Sequence, residues 1–194
     1  LNPDELFGDL PVLETERLVL RKLTSRDIGA VYEYGREPEV ARYMPWEYHR
    51  SIDDAAMFVR SQIDNYRRGQ PASWGIVLKD EDRLIGASGF GSWSLSNSRA
   101  EMGYVLAKSH WNQGLMTEVA SELIRFGFEQ MHLNRLQARA VVENIASWRI
   151  MEKVGMTYEG TERQARFEKG RFVDFRVYAI LREQYFAQFK LPEQ

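Results

Sequence analysis

The chain has 194 residues, 44% hydrophobic and 12% aromatic, which suits one globular core burying about 70% of its unfolded surface. Its 26 Lys and Arg stand against 28 Asp and Glu, and that net charge of −2 argues against a nucleic-acid binder held mainly by phosphate contacts. Cysteine is absent, which excludes disulfides, thiolate metal sites and cysteinyl intermediates, and His49, His110 and His132 lie too far apart to suggest a histidine-built metal site.

The opening Leu1-Asn2-Pro3-Asp4-Glu5 lacks the basic and apolar regions of a signal peptide, and no apolar run approaches the ~20 residues of a bilayer span. A cytoplasmic protein without membrane contact is expected. Leu18-Val19-Leu20-Arg21 alternates like a strand. Thr24-Ser25-Arg26-Asp27 reads as a capping box opening a helix to about Gly35, and Ser51-Ile52-Asp53-Asp54 as a second one. The helix after Ser51 repeats apolar residues at Ile52, Ala55, Val59, Ile63 and Tyr66, and Arg67-Arg68 sit near its end. Between the two helices, Tyr43-Met44-Pro45-Trp46 is an aromatic, proline-broken loop.

Trp74 to Leu78 and Arg83 to Ala87 read as strands about the charged turn Lys79-Asp80-Glu81-Asp82. A third strand runs from Ala100 to Leu106, where Gly103 suggests a bulge or a close backbone approach. Leu115, Val119, Leu123 and Phe126 form a helical stripe. A strand from Arg135 to Val142 carries small residues, Ala138 and Ala140, on one face. A helix from about Ile145 ends before Gly155, a suitable residue just past a C-cap. Two long strands flank the turn Glu168-Lys169-Gly170-Arg171. The order β-α-α-β-β-β-α-β-α-β-β predicts an α+β (or α/β) domain, a mixed sheet flanked by helices, spanning residues 1–194 as one unit.

The glycines Gly86, Gly89 and Gly91 miss G-x-G-x-x-G, and Gly86-Ala87-Ser88-Gly89 misses the G-x-S-x-G elbow, so they read as bulges and turns. Trp111-Asn112-Gln113-Gly114-Leu115-Met116-Thr117-Glu118 is more informative. A glycine at a strand-to-helix junction lets a tight loop aim several N–H groups, reinforced by the helix dipole, at a phosphate or pyrophosphate; a plain tight turn is the competing reading.

Glu101-Met102-Gly103-Tyr104-Val105-Leu106 followed by that loop resembles the acetyl-CoA motif of the GNAT superfamily of N-acetyltransferases. Asn144-x-x-Ser147-x-Arg149-x-x-Glu152-Lys153-x-Gly155-Met156 is similar to its next conserved block. The opening Glu14-Thr15-Glu16-Arg17-Leu18-Val19-Leu20-Arg21, the Tyr43–Trp46 loop and Gly170-x-Phe172-x-Asp174 resemble the RimJ/RimL branch, which acetylates protein N-termini and related amines. The resemblance covers residues 13–185. It implies a mixed, mostly antiparallel central sheet, acetyl-CoA as cosubstrate, no metal, an amine acceptor and, as in many relatives, a homodimer.

The resemblance also implies roles. Backbone groups of Val105 and Leu106 would meet the pantetheine amides. Trp111 opens the loop in which amides of Asn112, Gln113, Gly114, Leu115, Met116 and Thr117 would hold the pyrophosphate. The Asn144 amide would fix the pantetheine arm, and Arg149 and Lys153 would reach the 3′-phosphate, unless they form only a solvated helix face. Met116 replaces the usual small residue and is expected to narrow the loop. Met151 stands where many members carry a tyrosine general acid. Ser147 is the expected replacement, its hydroxyl meeting the leaving thiolate, with backbone capping as the competing role.

Transfer would be direct, since a ping-pong route lacks its cysteine. An α-amine of pKa about 7.8 is about one-seventh neutral at pH 7, whereas a lysine amine is neutral about once in 2,500. That gap of about 3.5 kcal/mol leaves an N-terminal acceptor needing only a modest base. Glu101 is the expected base, with a structural salt bridge as its competing role. Asp174 is expected to grip a cationic acceptor, and Trp46 and Tyr48 to line its groove or merely fill the core. The predicted activity is N-acetylation of a protein α-amine. The alternatives are acetylation of a small amine such as a polyamine, aminoglycoside or amino-acid derivative, or a non-catalytic acyl-CoA sensor.

Overall fold

The computed structural model describes residues 3–189; Leu1, Asn2 and residues 190–194 of the expected unit lie outside the described residues. All eleven expected elements are present. They are β2 (Leu18–Lys22), α2 (Ile28–Gly35), α4 (Ile52–Arg67), β3 (Ser73–Leu78), β4 (Arg83–Ser94), β5 (Arg99–Leu106), α5 (Leu115–Glu129), β6 (Arg135–Val141), α6 (Ile145–Lys153), β7 (Thr157–Glu168) and β8 (Arg171–Leu181). Four more were not foreseen: α1 (Pro3–Gly8), β1 (Leu13–Glu14), α3 (Pro38–Ala41) and α7 (Arg182–Phe189). None exceeds 8 residues, too short for a hydrophobic period to stand out.

Both capping boxes form. Asp27 and Asp54 each take the backbone N–H of Thr24 and Ser51, at 2.7 and 3.0 Å. The last hairpin turns on Lys169 and Gly170, with φ of 49° and 80°, a two-residue connection whose twist matches that of the strands it joins.

Among the described residues one eight-stranded sheet runs in the order β1-β2-β3-β4-β5-β6-β8-β7. Its pairs are antiparallel except β5–β6. Trp74 of β3 meets Phe90 of β4 and Phe126 of α5 edge-on, at ring-centroid separations of 5.9 and 5.7 Å, which seats α5 on the central strands.

The parallel pair is short. It runs from Arg99↔Arg135 to Met102↔Ala138 and stops, although β5 continues to Leu106 and β6 to Val141. The strands part there and a wedge opens between them. Gly103 is neither a bulge nor a point of close backbone approach. Gly103 sits in regular register with Gly89, and a Cβ there would meet nothing within 4 Å. The register shifts lie elsewhere, at Ile76/Val77, Phe90/Ser92, Tyr158/Gly160 and Glu162/Arg166. Gly103 is the first β5 residue beyond the last β5–β6 pair. No helix of the described residues is long and apolar enough to cross a membrane.

Candidate active site

Ladder-bonded pairs alternate along antiparallel strands. The Ala107 N–H donates to the Ile85 C=O at 2.7 Å, so the pairs Val105–Ala87 and Gly103–Gly89 also bond across the β4–β5 ladder. The backbone of Tyr104 and Leu106 therefore faces the wedge. Of the two expected backbone ligands, Leu106 points into the opening and Val105 toward β4. Trp111 Nε1 donates to the Leu106 C=O at 2.8 Å and folds the loop back onto the strand.

The loop is built as the motif suggested. Asn112 and Gly114 both adopt left-handed backbone, φ 59° and 77°, and Gly114 is the N-cap of α5. Having no side chain, it leaves the N–H groups of Leu115, Met116 and Thr117 uncapped at the positive end of the helix. Such an end suits an anionic group. The Leu115 and Met116 side chains are buried in the core, so Met116 does not narrow the loop as expected; the helix turns it inward.

Two residues of the opening motif hold this loop from behind. Arg17 donates to the Gln113 C=O at 3.0 Å and to Glu118 Oε2 at 2.8 Å. Its own N–H and the Thr15 hydroxyl both reach Glu118 Oε1. Burial pushes the Glu118 carboxyl up, but these donors outweigh it and hold it below its ordinary value. Gln113 Nε2 donates to the Ser109 C=O at 3.1 Å.

At the other side of the wedge, Asn144 is the N-cap of α6 and its Oδ1 accepts the Ser147 N–H at 3.4 Å, leaving the amide nitrogen as its donor toward a ligand. The Tyr104 hydroxyl crosses from β5 to α6, 2.9 Å from the Ser147 C=O and 3.1 Å from Ser147 Oγ. Burial pushes the Tyr104 phenol up to about 12. Met151, one turn after Ser147, is 1% exposed and faces the core.

Glu101 pairs with Gln137, one residue before the last β5–β6 pair. Its Oε2 accepts from Gln137 Nε2 at 2.8 Å and its Oε1 from Arg139 Nε at 3.0 Å. Arg139 also reaches Glu162 of β7, at 3.2 Å. Glu101, Gln137 and Arg139, together with Ser92, Trp93 and Arg99, line a cavity of about 360 Å³ on the sheet.

α3 and the loop that follows it are tied to both sides of the wedge. Glu39 of α3 binds Lys108, just beyond β5, at 2.8 Å, Lys169 of the final hairpin donates to the C=O of Ala41, the last residue of α3, at 2.6 Å, and Tyr43 packs on Val141, Val173 and Phe175. Trp46 is half-buried beside His49, at 5.3 Å between rings, whereas Tyr48 is exposed beside Arg50. Asp174 Oδ1 accepts the Gln164 N–H of the irregular stretch of β7 at 2.7 Å, a contact that shapes the hairpin. Arg149 and Lys153 are exposed on α6, Arg149 over the Trp148 ring. No group of three or more metal-ligating side chains lies together among the described residues.

Three participants escaped sequence reasoning: Tyr104, Arg139 and the Arg17–Glu118 pair. Tyr104 and Arg17 stand inside motifs that carried the resemblance, but their partners lie 43 and 101 residues away and no local pattern links them.

Residues 17–157 match the acetyltransferase (GNAT) domain family. Among curated proteins, the chain is 35% identical over 172 residues to the N-acetyltransferase YoaA of Bacillus subtilis, covering 89% of this chain and 97% of that one. It is 29% identical over 133 residues to the ribosomal-protein-serine acetyltransferase of Escherichia coli, 69% of this chain and 73% of that one. A GNAT-family acetyltransferase from Bacillus anthracis superposes with a TM-score of 0.80 at 30% identity, covering 89% and 99% of the two chains. RimL, a ribosomal L7/L12 α-N-protein acetyltransferase solved with coenzyme A, superposes at 0.79 with 22% identity, over 88% of this chain and 98% of that one, and so attests the fold alone.

Proposed function

The chain belongs to the GNAT acetyltransferase family, of the RimJ/RimL-like branch, and on that premise we propose that it transfers acetyl from acetyl-CoA directly to the α-amine of a protein N-terminus. The wedge between β5 and β6, with an uncapped helix end at its mouth, is the observation that carries this. It fits acetyl-CoA in two respects. The backbone of Tyr104 and the Leu106 N–H offer a strand edge to the amides of pantetheine, the Leu106 C=O being already bonded to Trp111, and the N–H groups of residues 115–117 offer donors to a pyrophosphate. The Asn144 amide nitrogen would add a donor to the pantetheine arm, and Arg149 and Lys153 are the solvent-facing cations for the 3′-phosphate.

Acceptor chemistry falls to the groups at the closed end of the wedge. Glu101, held by Gln137 and Arg139, would take the proton that the amine loses as its nitrogen attacks the thioester carbon. Ser147 would donate to the sulfur as the C–S bond breaks. An α-amine suits a single modest base, because about one in seven such amines is already neutral at pH 7. α3 and the loop after it, tied to the final hairpin through Ala41–Lys169 and Tyr43, support an acceptor groove between them, with Trp46 and Tyr48 at its wall.

Thiol release from acetyl-CoA, measured with a panel of N-terminal peptides and small polyamines, tests the proposal. Peptide-dependent turnover is expected. Turnover with polyamines alone would move the acceptor to small amines.

A further inference from the structure

We propose that Tyr104 is a positioning residue that aims the Ser147 hydroxyl at the leaving sulfur, so that two hydroxyls on two elements take over the task of the tyrosine that position 151 lacks. This rests on the acyl-transfer reading above and extends it to a residue for which no role was foreseen.

Ser147 is gripped at three atoms. Asn144 Oδ1 holds its N–H, and the single Tyr104 hydroxyl lies within bonding distance of both its C=O, at 2.9 Å, and its Oγ, at 3.1 Å. Tyr104 stands two residues beyond Met102, the last β5 residue paired with β6, on the stretch of β5 that borders the wedge. Ser147 stands in the first turn of α6, four residues before Met151 and so on the same face one turn nearer the helix start. Met151 itself is 1% exposed and sealed in the core. Ser147 is the hydroxyl on this face of α6, and Tyr104 is the side chain that holds it.

One phenolic hydrogen faces two acceptors on the same residue. If it goes to the Ser147 C=O, the serine hydrogen is drawn onto the tyrosine oxygen. If it goes to Ser147 Oγ, the serine hydrogen is released to point elsewhere. A sulfur gaining negative charge favours the second state, a chain from Tyr104 O–H to Ser147 O–H to sulfur in which each bond polarises the next. Like any tyrosine phenol it is protonated at neutral pH, and burial pushes its titration further away, so it keeps its hydrogen to donate. The balance is simple. The C–N bond forms, the C–S pair departs on sulfur, and the proton from nitrogen goes to the base and on to solvent. Both hydroxyls end protonated as they began.

The test compares wild type, Tyr104→Phe, Ser147→Ala and the double variant in acetyl transfer to the best acceptor found, with coenzyme A binding measured separately by calorimetry. Each single variant should lower kcat about tenfold, the worth of one hydrogen bond, with the KM for acetyl-CoA and the Kd for coenzyme A within about twofold of wild type. The double variant should be no slower than Ser147→Ala, since Tyr104 acts only through the serine. Losses that multiply in the double variant, a Tyr104→Phe enzyme with wild-type kcat, or a defect confined to KM would each overturn the proposal. Full kcat in Ser147→Ala would remove the serine's role and the positioning role with it. A wild type that acetylates small amines but no peptide would sink the acceptor assignment alone, leaving the four-way comparison intact.

Discussion

Arg17 and Glu118, 101 residues apart in the chain, meet at 2.8 Å behind the loop that opens α5. The same guanidinium holds the Gln113 C=O, and Glu118 sits in the first turn of the helix whose N–H groups face outward. Arg17 thus fixes the loop and neutralises an acid beside the uncapped end of α5 proposed to bind the pyrophosphate. Replacing it with alanine should weaken coenzyme A binding about tenfold, ~1.4 kcal/mol, through a misaimed loop and an unpaired carboxylate. Acetyl-pantetheine, which has no pyrophosphate, should bind the variant and wild type alike. Equal weakening of both ligands would mean that Arg17 supports the fold and not the phosphate site.

Glu101 shares its two oxygens between Gln137 and Arg139, so a base and a plain ion pair make different forecasts. As the base, Glu101→Gln should lower kcat about 100-fold with an unchanged KM for acetyl-CoA. Arg139→Gln, which leaves the carboxylate in place, should lose far less. If the pair is only structural, the two variants should lose similar activity and similar Tm.

Restoring the family's tyrosine at position 151 should not restore a general acid. The Met151 side chain lies in the core at 1% exposure, and a larger polar ring there overpacks its neighbours. Met151→Tyr should lower stability by about 1–3 kcal/mol, read as a fall in Tm, with no gain in kcat. A faster enzyme of unchanged Tm would show that this position reaches the wedge after all.

Asp27 contributes stability that depends on pH with a definite sign. Burial pushes its carboxyl up, but the bidentate Arg21 guanidinium, at 2.8 and 2.9 Å, and the Thr24 N–H outweigh burial and hold it below its ordinary value. A depressed carboxyl stabilises the fold above the unfolded value of about 3.9 and loses that contribution as pH falls through the lower folded value. Asp27→Asn should cost about 2 kcal/mol at pH 7, and its Tm deficit should shrink as the pH drops below about 4. A deficit of the same size at pH 2 would assign the loss to packing.

Much of this protein was legible because its determinants are local. The capping boxes at Thr24 and Ser51, the positive-φ pair Lys169-Gly170, the apolar stripe of α5 and the glycine at its N-cap all act within a few residues, where sequence spacing and geometry coincide. So did the motifs that carried the family resemblance, and with them the acetyl-transfer chemistry.

Tertiary structure alone decided which side chains meet. Where β5 leaves β6 depends on the register of a parallel pair whose strands are joined through α5, and that parting, not a bulge at Gly103, makes the wedge. The pairing of Glu101 with Arg139, the reach of Tyr104 to Ser147, the grip of Arg17 on Glu118 and the inward turn of Met116 all follow from how distant elements pack. A chain's local pattern sets the shape and exposed face of each element. The partner facing a side chain across the sheet is set by register and packing, to which the whole fold contributes at once.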